Sequence, residues 1–323
     1  MPEPPTVPVV DLSHPADAAA GAIDEACRSN GFFYVVGHGV DPGLADALDA
    51  SARAFFARPD EEKAEIEMAR GGRAWRGWFP LGDELTAGVP DAKEGLYFGA
   101  ELGPRHPRVV AGVPLHGANL FPAEPAGLRP AVLAWIDAMT LLGHRLASLV
   151  ARALGLPPGW FDEHLTADPT LLFRIFRYPP SPTEGWGVAE HTDYGLLTIL
   201  HQDDLGGLEV HTPAGWVAAP PLPGSFVVNL GDMLDRMTGG RYRSTPHRVR
   251  NRSGADRLSM PFFFDPSWDA EVRPLPLDGS PAPDDAATRW DGTSLQSLTG
   301  TYGDHLLAKV TKVFPHLADP HWG

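Results

Sequence analysis

The stretch Ala189-Glu190-His191-Thr192-Asp193-Tyr194-Gly195-Leu196-Leu197-Thr198-Ile199-Leu200 begins polar and runs into the β-branched and aliphatic residues of a strand. In a strand, residues i and i+2 project to one side, so His191 and Asp193 are expected to point together. One imidazole and one carboxylate need a third donor to hold a metal. His247 is the best candidate, on a second strand-like run, Ser244-Thr245-Pro246-His247-Arg248-Val249. Two histidines and one carboxylate on one face form a facial triad, which leaves coordination positions open and suits Fe(II). H-x-D by itself also occurs in plain surface turns. The apolar strand it opens and the distal histidine give it its meaning here.

Ten residues after His247 comes Arg257-Leu258-Ser259-Met260-Pro261-Phe262-Phe263-Phe264, a further alternating segment. Arg257 and Ser259 share a face by the same period. A guanidinium directed into an apolar interior is costly unless it meets an anion, and its planar fork suits a carboxylate.

Taken together, H-T-D, the distal His247 and R-L-S resemble the Fe(II)/2-oxoglutarate-dependent oxygenases of the isopenicillin N synthase-like family. Gly31-Phe32-Phe33-Tyr34-Val35-Val36-Gly37-His38-Gly39-Val40, Arg177-Tyr178-Pro179-Pro180 and Val228-Asn229-Leu230-Gly231-Asp232 add to the likeness, which runs from about residue 5 to about residue 317. The resemblance implies Fe(II) on His191, Asp193 and His247, with 2-oxoglutarate as cosubstrate and O₂ as oxidant. It implies that Arg257, Ser259 and Tyr178 hold the distal carboxylate of 2-oxoglutarate. Oxidative decarboxylation to succinate and CO₂ would then drive hydroxylation, desaturation or ring closure of a small-molecule substrate. The family also places substrate contacts in the segment that here carries Trp75 and Phe98.

Plant members have Asn two positions before the tyrosine; Phe176 stands there instead. Arg177-Tyr178-Pro179 is closer to isopenicillin N synthase itself, which uses no 2-oxoglutarate, and on that reading Arg257 and Ser259 would hold a substrate carboxylate. The same residues would also serve a zinc hydrolase with water as fourth ligand, or a non-catalytic metal- or ligand-sensing jelly roll.

The 323 residues, 43% hydrophobic and 21% charged, are ordinary for a globular chain. A net charge of −15 argues against nucleic acid and anionic membrane as partners. The only cysteine, Cys27, allows no intrachain disulfide and fits a reducing compartment. Met1-Pro2-Glu3-Pro4-Pro5 has neither a basic nor an apolar region of a signal peptide. With no apolar run long enough to cross a bilayer, the expectation is a cytoplasmic protein; the oligomeric state is left open.

Along the chain, Val7–Leu12 reads as a short strand, Ala18–Arg28 as a helix and Phe32–Val36 as a buried strand. Asp41-Pro42 is a cap opening a helix to about Phe56, and Pro59-Asp60-Glu61-Glu62 opens another. Residues 70 to 125 are Gly- and Pro-rich and read as irregular. Leu128, Val132, Trp135, Ile136, Met139, Leu142, Leu146, Leu149, Val150 and Leu154 recur at helical steps. From Leu171 the pattern becomes short strands and turns, suggesting a jelly roll, closed by a helix from Tyr302 to Phe314 that Pro315 stops. The fold class expected is α+β, mainly β, as a single domain over residues 1–323. It has an N-terminal helical and irregular part to about 125, a double-stranded β-helix core over about 170–270, and a closing helix near 300–315. His38, His144, His201 and His211 read as turn, surface or packed histidines, Asp232 as a turn residue and Asp203-Asp204 as a solvated pair. Arg177 is expected to face away from Tyr178.

Overall fold

The computed structural model describes residues 7–86, 88–180 and 185–314; Pro315 lies outside them. The first part of the chain forms β1 (Val9–Asp11), α1 (Ala16–Ser29), β2 (Phe32–Val36), α2 (Pro42–Phe56), α3 (Asp60–Lys63), β3 (Gly77–Phe79), β4 (Leu85–Thr86), β5 (Val89–Pro90), β6 (Glu94–Gly99) and α4 (Pro107–Val110). Next come the long α5 (Leu128–Ala153) and short α6 (Trp160–His164). The strands that follow are β7 (Pro169–Tyr178), β8 (Val188–His191), β9 (Leu197–Gln202), β10 (Leu208–Thr212), β11 (Gly215–Ala218) and β12 (Phe226–Leu230). The chain continues through α7 (Asp232–Thr238), β13 (His247–Val249), β14 (Arg257–Ser267) and α8 (Tyr302–Val313).

The strands make an eight-stranded sheet, in the order β1-β2-β12-β9-β14-β7-β6-β3, and a four-stranded sheet, β11-β10-β13-β8; β4 and β5 form a separate hairpin. The fold is thus of mixed helix and sheet. The larger sheet is buried on both faces. Along β14, Leu258, Met260, Phe262 and Phe264 are buried toward one side, while Arg257, Ser259, Pro261, Phe263 and Asp265 line a cavity on the other. Its pairing with β7 is interrupted between Ser259 and Phe262, where Pro261 has no N–H to give.

α5 backs this sheet, as its apolar stripe requires. Trp135, fully buried, packs on Phe173 and Phe226, and Gly143 leaves room for the Phe264 ring, which a Cβ would overlap. Truncating Trp135 to alanine would remove about 3–5 kcal/mol. α2 starts as its sequence demands, with Asp41 accepting from the Gly43 N–H at 2.9 Å and Pro42 in the first turn. α8 starts on a reciprocal cap between Thr301 and Asp304.

Two expectations are corrected. The segment 70–125 is not merely irregular: β3 and β6 extend the large sheet beyond β7, so the N-terminal part and the core share one sheet. Glu94, which breaks the apolar pattern of β6, is buried because Lys63, Trp78 and Arg177 all donate to its carboxylate. Nor is 189–200 one strand. β8 ends at His191 in the small sheet and β9 begins at Leu197 in the large one, so Asp193 sits on the turn that joins the two. That turn is tight: a Cβ on Gly195 would overlap the Asp265 carboxylate, and one on Gly231 would overlap the Gly195 backbone.

Candidate metal centre

His191 and His247 are register partners on β8 and β13. The Nε2 atoms of His191 and His247 lie 3.9 and 3.8 Å from Asp193 Oδ1, and the three ligand atoms fall within 4.8 Å of one another. Each imidazole is oriented by its other nitrogen. His191 Nδ1 donates to the Ala189 carbonyl at 2.8 Å and His247 Nδ1 to the Thr245 carbonyl at 3.2 Å. A carbonyl can only accept, so Nε2 is the bare nitrogen in both rings. The second oxygen of Asp193 is held by Thr198 Oγ1 and Asn229 Nδ2, each at 2.6 Å, from neighbouring strands β9 and β12.

The charge states suit a divalent cation. Burial, and then the neighbouring His191, push His247 down to about 4, so it is a neutral donor at pH 7. Burial raises Asp193, but the two histidines and the hydrogen bonds from Asn229 and Thr198 outweigh it and hold the carboxyl below its ordinary value. Two imidazoles with Nε2 turned inward and one carboxylate on one side of an open cavity fit a facial-triad iron.

Arg257 is fully buried in the same cavity. Its Nε donates to the Gly206 carbonyl, while Nη1 and Nη2 are buried without a partner among the described residues. Tyr178 stands opposite it in the β7–β14 register, with its ring 4.9 Å from the guanidinium and its hydroxyl 3.2 Å from Ser259 Oγ. Burial raises the Tyr178 phenol, so it stays protonated and can donate. An unpaired guanidinium edge beside two hydroxyls is a receptor for a carboxylate.

The cavity, of about 510 Å³, thus gathers His191, Asp193, His247, Arg257, Ser259 and Tyr178. Trp75 lies on its wall, packed edge-on against Phe314. Phe98 does not: it faces the other side of β6, stacked on Phe121 and Phe173, and its neighbour Tyr97 faces the cavity. The substrate-contact expectation for Phe98 is corrected accordingly, the strand's alternation having placed the pair the other way round. Arg177 points away, paired with Glu94 and Asp256. His201 packs on Trp135, and His211 lies exposed against Trp216. Asp232 is more than a turn residue, since it is buried in an ion pair with Arg289 at 3.0 Å.

Sequence reading missed Thr198, Asn229 and Arg174. The first two are signalled only by their place on strands that flank the triad. Arg174 follows from Tyr178 by the period-2 rule, because i−4 shares its face.

Residues 7–124 match the family described as non-haem dioxygenase in morphine synthesis N-terminal, and residues 169–266 match the 2OG-Fe(II) oxygenase superfamily. The "Probable iron/ascorbate oxidoreductase" of Dictyostelium discoideum is 47% identical, over 91% of this chain and 88% of that one. The chain belongs to the 2OG-Fe(II) oxygenase superfamily. Within it, a family member of known structure from Caulobacter crescentus superposes with a TM-score of 0.78 at 28% identity, covering 95% of this chain and 98% of that one. JOX2, solved in complex with 2OG, Fe and JA, superposes with a TM-score of 0.76 at 26% identity, covering 98% and 90%. This 2OG-Fe(II) oxygenase is an oxidoreductase of the isopenicillin N synthase-like family; its cofactor is Fe(II) and its cosubstrates are 2-oxoglutarate and O₂. That sets aside the hydrolase and non-catalytic readings.

Proposed function

We propose that the oxygenase binds one Fe(II) through His191, Asp193 and His247, anchors 2-oxoglutarate on Arg257, Ser259 and Tyr178, and oxidises a small molecule in the remaining space. The observation that carries this reading is the meeting of the triad and Arg257's two unpartnered nitrogens in one cavity. The two sheets that enclose the cavity are read as a double-stranded β-helix, and the whole chain as one domain. No helix among the described residues is long and apolar enough to cross a membrane, and the buried, unpaired Cys27 suits a cytoplasmic enzyme. Trp75 is read as part of the substrate wall.

Bound iron would supply the redox chemistry, with O₂ cleaved as 2-oxoglutarate loses CO₂. The chain's own work is orientation and exclusion of water. Thr198 and Asn229 fix one oxygen of Asp193 so that the other faces the open centre. Arg257 fixes the far end of the cosubstrate, which sets where its 2-oxo end lies. The walls from β7, β9 and β14 keep the reacting groups dry.

The test is succinate formation from 2-oxoglutarate by the full chain with Fe(II) and O₂. Succinate is expected with the wild type and not with His247→Ala. Absence of both 2-oxoglutarate binding and succinate in the wild type would overturn the assignment.

A further inference from the structure

Three buried cations line the cavity: Lys93, Arg257 and Arg174. Lys93 is satisfied, paired with Glu84 at 2.9 Å and with Asp91. Arg257 has the anchoring role toward 2-oxoglutarate. Arg174 is 6% exposed and makes no ion pair among the described residues. Its Nη1 donates to the carbonyls of Phe98 at 3.3 Å and Phe173 at 3.2 Å. The guanidinium lies over the Tyr97 ring, 3.4 Å from its centre, with the Phe263 ring at 5.8 Å. The Tyr97 hydroxyl donates a hydrogen bond to Glu84 and keeps its proton, so it offers Arg174 a neutral oxygen and no counter-charge.

Every carboxylate around Arg174 is already engaged. Glu84 and Asp91 belong to Lys93. Asp265 feels the charge of Arg174 but makes no ion pair with it: it is held by the Tyr302 hydroxyl at 2.6 Å and the Leu196 N–H at 3.0 Å, and burial raises it to about 7 despite that charge. Asp193 belongs to the metal centre. Arg177, three residues on and facing out, has Glu94 and Asp256 for itself. A guanidinium buried without an anion is unstable by itself and strongly favours binding one. Phe263 lies beside it, Phe176 and Tyr194 add apolar wall elsewhere in the same cavity, and Lys309, over the Tyr194 ring at 5.3 Å, is a further cation lining it.

We propose that Arg174 docks a carboxylate of the prime substrate, so that this oxygenase acts on a small carboxylic acid with an apolar body. The inference rests on the proposed function in one respect: Arg257 is occupied by 2-oxoglutarate, which leaves Arg174 for the second acid. Two anions then share the cavity on two separate arginines. Phe263 on β14 and Tyr97 on β6 flank the substrate's acid end, which sets the orientation of its body toward the triad.

The experiment reads binding by tryptophan fluorescence, since Trp75 and Trp290 line the cavity. Phenylacetate and octanoate are titrated anaerobically into the full chain loaded with Fe(II) and saturating 2-oxoglutarate, so that Arg257 is occupied, beside their methyl esters. The acids are expected to bind about ten- to a hundredfold more tightly than the esters, the usual worth of a charge-assisted hydrogen bond. Arg174→Gln should erase the difference, and Arg174→Lys should restore part of it. Separately, 2-oxoglutarate binding to the Fe(II)-loaded protein should survive Arg174→Gln. Equal binding of acids and esters, unchanged acid binding in Arg174→Gln, or no acid binding to the wild type at millimolar concentrations overturns the proposal. Failure of the wild type to bind 2-oxoglutarate overturns the anchor reading instead, while the acid–ester contrast still reports on Arg174.

Discussion

His191 and His247 face each other directly across β8 and β13, with ring centroids 4.2 Å apart, and both present Nε2 to the same oxygen of Asp193. Strand pairing holds this relationship. The small sheet therefore preorganises two donors, and the turn to the large sheet brings the third.

The first expectation follows from that rigidity. His191→Ala, His247→Ala and Asp193→Ala should each weaken Fe(II) binding by more than the roughly 10–100-fold typical of losing an outer partner. Circular dichroism spectra should be unchanged, since the strands remain paired. Equilibrium dialysis with Fe(II) under anaerobic conditions measures it, with one iron expected per chain. His247→Ala that binds iron like the wild type would remove His247 from the triad.

Thr198 and Asn229 offer a subtler test. Thr198→Val and Asn229→Leu each leave one lone pair of a buried carboxylate unmet, at about 1–3 kcal/mol, and free Asp193 to rotate. Iron affinity should fall about 10–100-fold in each, with a smaller loss on adding the second change because both act on one oxygen. Additive losses would mean that the two donors hold Asp193 independently.

These two residues also mark the edge of what the sequence reveals. The ligand types, the distal histidine and R-x-S are visible as residues, and α5 is visible as a period. The geometry by which His191 and Asp193 meet is not. Period 2 places both on one strand, whereas the chain leaves the small sheet at His191 and enters the large one at Leu197. A local pattern cannot show a change of sheet, which is decided by Gly195 and Gly231 meeting backbone to backbone. β6 was hidden for a related reason: Glu94 looks solvent-facing until Lys63, Trp78 and Arg177, distant in sequence, are seen to close on it. Arg174 was legible, by counting back four from Tyr178.

Asp265 gives the fold a pH dependence. Burial is the main cause of its rise to about 7 from the ordinary carboxylate value, so the folded chain keeps a proton that the unfolded chain has released. Stability from this group is therefore fully present below about pH 4 and is lost as pH rises to about 7, a change on the order of a few kcal/mol. Asp265→Asn keeps an oxygen acceptor for the Leu196 N–H, turns an N–H₂ donor toward the Tyr302 oxygen, and cannot ionise. Urea unfolding at pH 5 and pH 8 should show the wild type losing stability relative to the variant. Parallel losses in both proteins would show that Asp265 ionises without cost in the fold.

Arg257 is the residue whose loss should be most selective. Among the described residues Nη1 and Nη2 are buried with no partner, and Tyr178 and Ser259 hold hydroxyls beside them. With 2-oxoglutarate bound, Arg257→Ala leaves the distal carboxylate buried and unpaired, which costs about 3–5 kcal/mol. That corresponds to a rise in KM for 2-oxoglutarate of about a hundred- to several-thousandfold. Arg257→Lys should recover part of it, since an ammonium keeps the charge and loses the paired geometry. Fe(II) affinity should change little, because Arg257 touches none of the three ligands. Steady-state kinetics at varied 2-oxoglutarate, alongside iron titration, separates the two effects. An alanine variant with an ordinary KM for 2-oxoglutarate and a raised one for a carboxylic acid substrate would exchange the roles of Arg257 and Arg174, placing the cosubstrate over Tyr97 and the prime substrate against Tyr178.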